Sequence, residues 1–358
     1  MNLTLSKPDD MHIHLREGEA LNRTVYDAAR QFKRVMVMPN LAHPVTTVDK
    51  ALAYKKQITD ALERLISQYP KEAQNLSAFT PLMTLYLTQD LPPAELIKAK
   101  ASEIIHGVKL YPMGATTLSD KGVNDIRKLG LVFEQMQKLG MVLQIHGEVA
   151  PNRHTYIDVF DKEKTFIETE LAYLRRTFPE LKIVLEHITT QEAVEFILAS
   201  PAHIAATITP HHLLINRNDM FDKGIRPHHY CLPIPKRKRH QEKLIWAATS
   251  GNPKFFLGTD SAPHAQHKKE SDCGCAGIYS AHDALAYYAI AFDQAGKIGA
   301  LDNFATRFGA EFYGLTVETE AKIILEKRPN LIAEQLAFTQ QDKVIPFMAG
   351  QTISWCTA

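Results

Sequence analysis

The chain has 358 residues, 45% of them hydrophobic and 23% charged, with a formal net charge of +1. That length buries a large core, and so even a charge balance provides no field to gather nucleic acid or an anionic membrane. Four cysteines in so long a chain make no disulfide framework, no apolar run approaches a membrane span, and the opening M-N-L-T-L-S-K-P-D-D lacks the apolar stretch of a signal peptide, so a reduced, cytoplasmic protein is expected.

Strand-like runs and helical stretches alternate along the chain. The first run is 11–15, and a helix follows over 22–32. R-V-M-V-M-P-N (34–40) precedes a long helix at 48–67, and L-M-T-L-Y-L (82–87) precedes one at 92–102. I-I-H-G-V-K-L-Y-P (104–112) is followed by 124–139, and M-V-L-Q-I-H-G (141–147) by 166–178. K-I-V-L-E-H (182–187) leads to 190–199, H-I-A-A-T-I-T (203–209) to 236–249, and K-F-F-L-G-T-D (254–260) to 280–295. Strands rich in Val, Ile and Leu that alternate with helices indicate a parallel sheet covered on both faces. Eight such units predict an α/β fold, a (β/α)8 TIM barrel, although a doubly wound open sheet has the same alternation. From about 301 a further helix (303–312) and a mixed segment run to 358, read as a helical C-terminal extension packed on the barrel. With no repeat or linker in the sequence, 1–358 is read as one domain.

Polar residues collect at the ends of the predicted strands. Residues two apart on a strand share a face, so His12 and His14 converge, with Arg16 following where the strand runs out. The fourth strand carries Lys109, the fifth ends in His146, the sixth in His187 and the eighth in Asp260. In a barrel these ends open onto one face, where barrel active sites lie. Four imidazoles and a carboxylate gathered there suit zinc or a similar divalent ion, whereas any one of them alone reads as a hydrogen-bonded loop residue. Lys109 is the unusual member, because a lysine in a buried strand must be paired or neutral. Addition of CO2 would turn its amine into a carboxylate able to bridge two metals; the plainer alternative is a tip that reaches the barrel mouth.

These residues carry a resemblance. D-D-M-H-I-H-L-R-E-G (9–18), M-P-N (38–40), G-V-K-L-Y-P-M-G-A-T-T (107–117), H-G-E (146–148), G-T-D-S-A-P-H (258–264) and K-E-S-D-C-G-C-A-G (269–277) are similar to the amidohydrolase superfamily, and within it to the class II bacterial dihydroorotase family. The likeness continues more weakly to F-Y-G-L (312–315) and beyond. It implies a barrel of the amidohydrolase type and a binuclear zinc site. His12, His14 and Asp260 would bind one Zn2+ and His146 and His187 the other, with N6-carboxylated Lys109 and a water or hydroxide bridging them. It also implies that Arg16, Asn40 and His264 hold a substrate carboxylate, with His146 also beside the substrate. The backbone at Leu232 and Ala276 would meet a pyrimidine ring, and Thr116 and Thr117 would sit on a loop that closes over it. Asp260 would shuttle the proton. The implied reaction is the reversible closure of N-carbamoyl-L-aspartate to L-dihydroorotate, the third step of pyrimidine synthesis, in a homodimer. A hydantoinase, dihydropyrimidinase or allantoinase shares the metal set, and an inactive scaffold shares the fold. The Arg16–Asn40–His264 trio separates the first group, because their substrates carry no carboxylate, and the complete ligand set separates the scaffold.

Other features carry less. Cys273 and Cys275 in C-G-C are too few for a closed zinc site and read as a loop near the substrate. K-R-K-R-H (236–240) reads as a solvated helix start. His211, His212, His228 and His229 fall near strand or loop ends, and the resemblance gives them no role.

Overall fold

The computed structural model describes residues 1–150 and 156–358. A short strand β1 (Asn2–Ser6) precedes β2 (Asp9–Ile13), β3 (Arg34–Val37), β4 (Thr80–Leu87), β5 (Ile105–Leu110), β6 (Val142–His146), β7 (Lys182–Glu186), β8 (Ile204–Ile208) and β9 (Phe255–Leu257). Strands β2 to β9 form one sheet in chain order, every pair parallel. The sheet closes on itself where the Asp260 N–H donates to His12 O at 2.8 Å and the His14 N–H to Ser261 O at 3.1 Å. The expected (β/α)8 barrel is therefore present, and the open sheet is excluded.

Alternation along the strands explains where chemistry can sit. Val142, Gln144 and His146 share one face of β6, and Phe256, Gly258 and Asp260 follow the same period on β9. Near the start of seven of the eight strands the inward residue is apolar, and these residues form a floor of Met11, Met36, Leu82, Val142, Val184, Ala205 and Phe256. At the end it is polar. The register of β2 slips between Asp10 and Ile13, so Met11 joins that floor while the adjacent His12 faces the mouth. Outside the sheet, helices cover the strands, and several begin on threonine caps: Thr47 accepts from Lys50 N, Thr190 from Ala193 N and Thr209 from His212 N.

The tail departs from expectation. It is helical only as far as Tyr313, and this last helix (Phe308–Tyr313) plugs the barrel floor with Phe308 and Ala310. Beyond it the chain turns to strands. β10 (Lys322–Glu326) pairs antiparallel with β1, and Cys356–Thr357 pairs with β10. The alternation of Leu3 and Leu5 in the first six residues was the available sign of β1, but its partner is over 300 residues away. The helix predicted at 124–139 opens with a tight turn, Ile126–Leu129, and that at 166–178 contains a π-helical turn, Ile167–Leu171. The helix predicted from 236 begins at Lys238. Lys236 is buried, not solvated, and its ammonium donates to Ile234 O at 2.9 Å. Among the described residues no helix is long and apolar enough to cross a membrane.

The barrel seam leaves no room at Gly258. A Cβ there would stand 2.8 Å from Thr207 Cβ and 3.1 Å from His12 Cβ, within the wall of the site. Gly258→Ala should destabilise the fold by about 1–3 kcal/mol, the usual cost of overpacking. Urea unfolding should show a lower midpoint at an unchanged slope; an unchanged midpoint would mean the wall yields freely.

Candidate metal and substrate site

The polar strand ends meet in a pocket at the barrel mouth. His12 and His14 both point at Asp260: Nε2 of each lies 3.2 and 3.1 Å from Asp260 Oδ1. The His12 ring centre stands 5.0 Å from that of His187, which stands 4.9 Å from that of His146. His146 Nδ1 is 3.3 Å from His187 Nε2. The pocket wall also includes Arg16, Asn40, Tyr111, Thr116, Thr117, Leu232, Ala262, Ala276 and Gly277. Lys109 lies beneath it, fully buried, with Nζ 5.2 Å from the Tyr111 ring centre. His264 stands behind the wall, 3.1 Å from Arg16 Nη2 and 2.9 Å from Ala276 O through Nε2. The sequence-predicted residues thus come together, some on the wall and two just behind it.

Burial sets the protonation states. It is the main cause that lowers His146 and His187 below the usual imidazole range and takes His14 down to about 4, so these three rings are neutral and can donate lone pairs. His12 differs: burial and Lys109 lower it, but Glu186 and Asp260 together outweigh them and push it up. Burial alone would raise Asp260, yet contacts from His12 and His14 and the nearby His187 hold it well below the carboxylate range. Burial brings Lys109 down to about 8 against the pull of Glu186 and Asp260.

The donor set fits divalent metal. His12 lies 2.9 Å from Glu186 Oε2 through Nδ1, but neither of its contacts is aligned as a hydrogen bond, and Lys109 Nζ and His187 Nδ1 also lack partners. Buried polar atoms are rarely left this way. Ligand atoms of His12, His14 and Asp260 lie within 4.8 Å of one another, close enough to share one ion. A second buried group, His211, His212 and Cys231, is equally compact. There, however, both His212 nitrogens have partners: Nδ1 contacts Thr209 Oγ1 at 2.8 Å and Nε2 contacts Pro233 O at 2.9 Å. It ties two loops together instead. His228 contacts Glu270 and His229 contacts Asp219 O, so the other histidine pair is structural.

Residues the sequence reading passed over complete the site. Glu186 Oε2 faces His12 Nδ1 and accepts from Thr207 Oγ1 at 2.5 Å, and Glu148 Oε2 is 3.0 Å from His146 Nε2. Asp10 accepts from the His12 N–H and from the Thr259 N–H and hydroxyl. Such carboxylates orient metal-binding imidazoles. Their signal was available in K-I-V-L-E-H, H-G-E and D-D-M-H, where an acid adjoins or is two residues from each ligand.

The geometry has relatives. The amidohydrolase family model matches residues 10–322. A dihydroorotase of Acinetobacter baumannii is 52% identical over 354 residues, covering 99% of this chain and 98% of that protein. A dihydroorotase of a Picosynechococcus species is 54% identical over 353 residues, covering 99% and 97%. The chain belongs to the dihydroorotase family of amidohydrolases. Dihydroorotase of Saccharomyces cerevisiae, solved in complex with 5-fluoroorotic acid, superposes with a TM-score of 0.88 at 34% identity, covering 100% of this chain and 98% of that one. The chain is thus an amidohydrolase enzyme of a generally metal-dependent family, and its His/Asp cluster could hold a metal.

If Glu186 orients His12 toward an ion, Glu186→Gln should weaken zinc binding roughly 10–100-fold, the usual effect of losing such a carboxylate. Competition of metal-stripped protein against a chromophoric chelator measures this. Equal affinities would leave Glu186 without that role.

Proposed function

We propose that the chain is a dihydroorotase that interconverts N-carbamoyl-L-aspartate and L-dihydroorotate plus water. The observation that carries the substrate assignment is Arg16. Its guanidinium faces the pocket, its Nε donates to Pro263 O at 3.0 Å, and among the described residues no carboxylate pairs with it. A half-buried cation left without an anion is a place for the carboxylate of a ligand. The neighbouring His264 is neutral, lowered to about 2 mainly by burial and then by Arg16. Asn40 offers a second polar group, its Oδ1 unpartnered and its Nδ2 donating to Thr117 O at 3.3 Å. The yeast relative was crystallised with 5-fluoroorotic acid, a ring acid of the same kind, which supports this placement.

His12, His14 and Asp260 would hold one zinc and His146 and His187 a second, with Lys109 bridging as its CO2 adduct. Burial that favours the neutral amine supports that modification, since only the free amine adds CO2. Divalent ions bound there supply Lewis acidity toward the amide carbonyl and a water of lowered pKa. The remaining steps belong to the protein. Arg16, Asn40 and His264 hold the carboxylate and so aim the ring amide at Asp260. Asp260, kept ionised by its histidines, takes the proton from the attacking water. It delivers that proton to the amide nitrogen as the C–N bond breaks, and cyclisation runs the same transfers in reverse. Thr116 and Thr117 cover the substrate and exclude bulk water. Thr116 is tied within its own loop to Ser119, while the links across the pocket, Thr117 Oγ1 to Ala276 O at 3.4 Å and Asn40 to Thr117 O, are few and breakable, as a loop that admits substrate requires. The family resemblance further supports a cytoplasmic homodimer.

Turnover of dihydroorotate, dihydrouracil, hydantoin and allantoin tests the reading. Dihydroorotate should be the substrate, and Arg16→Met should lower its kcat/KM by roughly 100-fold, the worth of a charge-assisted pair. Metal content should stay constant. Hydantoin or allantoin turnover without dihydroorotate turnover would falsify the assignment.

A further inference from the structure

Opposite the ligand cluster, the pocket wall is made by two loops, one carrying Leu232 and the other Ala276 and Gly277. What holds them is a lysine. Lys269 ends the short helix Gln266–Lys269 and is only 4% exposed. Its ammonium donates to Tyr230 O at 2.9 Å, to Cys275 O at 2.9 Å and to Gly277 O at 2.6 Å. All three of its donors are thus used, and among the described residues no carboxylate pairs with it. The Gly277 N–H also donates to Tyr230 O, at 3.0 Å, so the two loops are sewn together at this point.

The cost of this arrangement argues for a purpose. A buried ammonium without an anion loses several kcal/mol of hydration. Backbone carbonyls in loops normally find water or another N–H at no such cost. Burial is the first cause that takes Lys269 down to about 8, which reflects the same expense. The effect is local: two of the carbonyls belong to the residues on either side of Ala276, and the third lies two residues before Leu232. Ala276 O is itself held by His264 at 2.9 Å, while among the described residues the Ala276 N–H donates to nothing. Fixing both flanks of Ala276 therefore fixes the direction of a free N–H at the pocket edge.

We propose that Lys269 is a positioning residue for substrate: by gripping Tyr230, Cys275 and Gly277 it holds the backbone edges of Leu232 and Ala276 where a ring amide can pair with them. This rests on the dihydroorotase reading, and on a ring held by backbone on one side while its carboxylate meets Arg16 on the other. Lys269 touches neither substrate nor metal, so it acts on binding rather than on the bond being broken. A lysine that merely stabilised the fold would instead change the fraction of active enzyme.

The test is steady-state kinetics on zinc-loaded full-length enzyme with dihydroorotate. Lys269→Met should raise KM by about tenfold or more, while kcat stays within about threefold and zinc content is unchanged, since each lost hydrogen bond to a charged group accounts for such a factor. Lys269→Arg, which keeps the charge and several donors, should recover part of the KM. An unchanged KM, or a fall in kcat alone, overturns the proposal. If Lys269→Met does not fold, Lys269→Gln is judged by the same split. Wild-type enzyme inert toward dihydroorotate would instead strike the functional reading, so the two failures are distinguishable.

Discussion

One amine without a partner constrains the rest of the site. Lys109 Nζ is fully buried at the bottom of the mouth and makes no hydrogen bond. An ammonium there would be desolvated and would repel any cation held by the histidines above it. A neutral amine is tolerable, and a carboxylated one is better, because it converts a repelling charge into a ligand. The surroundings follow from this. The two carboxylates that influence Lys109 most, Glu186 and Asp260, are the same two that contact His12. The imidazoles near it are mostly neutral because burial makes them so. Such a cluster of lone pairs is costly by itself and becomes favourable when cations fill it, which couples metal binding to the stability of the mouth.

The backbone shows the same concentration of cost. Arg16, His187 and Asp260 have φ of 64°, 41° and 45°, in the left-handed region that residues with a Cβ avoid. Each such residue costs on the order of 1–3 kcal/mol and persists only where its neighbours over-determine it. Here each is pinned from a different element. The Tyr54 hydroxyl donates to Arg16 O at 2.6 Å, the His187 N–H to Thr207 Oγ1 at 2.7 Å, and the Asp260 N–H to His12 O at 2.8 Å. The last of these is also a bond that closes the barrel. Closing the sheet and aiming the carboxylate at the histidines are therefore one event, reinforced by Asp10 holding Thr259 across the seam.

What was legible in the sequence follows from range. Strand period and strand-end chemistry are local, so His12, His14, Lys109, His146, His187 and Asp260 could be placed on one face from the alternation of elements alone. Asn40, His264, Leu232 and Ala276 were not readable that way; only resemblance to a family pointed to them, and it alone gave Arg16, placed at the strand's end, its role. Pairings between distant segments left little trace. β1 leaves little trace because its partner β10 lies at the other end of the chain, and the tail strands are short, with only Leu336–Ala337 finding a nearby partner in Lys343–Val344. The left-handed conformations at His187 and Asp260 were invisible, since neither residue type announces a positive φ. Lys269 stood in a quoted motif without a role, and Lys236 was taken as solvated, because burial of a lysine is decided by which carbonyls surround it.

The pocket is electrically two-sided, and this decides how a ligand must lie in it. Its floor is a set of mostly neutral imidazoles with an ionised Asp260, suited to cations. Its wall carries Arg16, with Lys269 behind it, and after burial both cations help to lower His264. Among the described residues neither wall cation has a carboxylate partner within ion-pair distance. A net charge of +1 over the chain says nothing of this, because the asymmetry extends over one pocket only. A ligand with a carboxylate at one end and an amide at the other can satisfy both sides in a single orientation, carboxylate to the wall and amide to the floor. A ring lacking the carboxylate would leave the half-buried Arg16 unpaired, a penalty felt in binding and not recovered in the chemical step. On the proposed reading, selectivity among cyclic amides would reside in the wall, and the capacity to hydrolyse them in the floor.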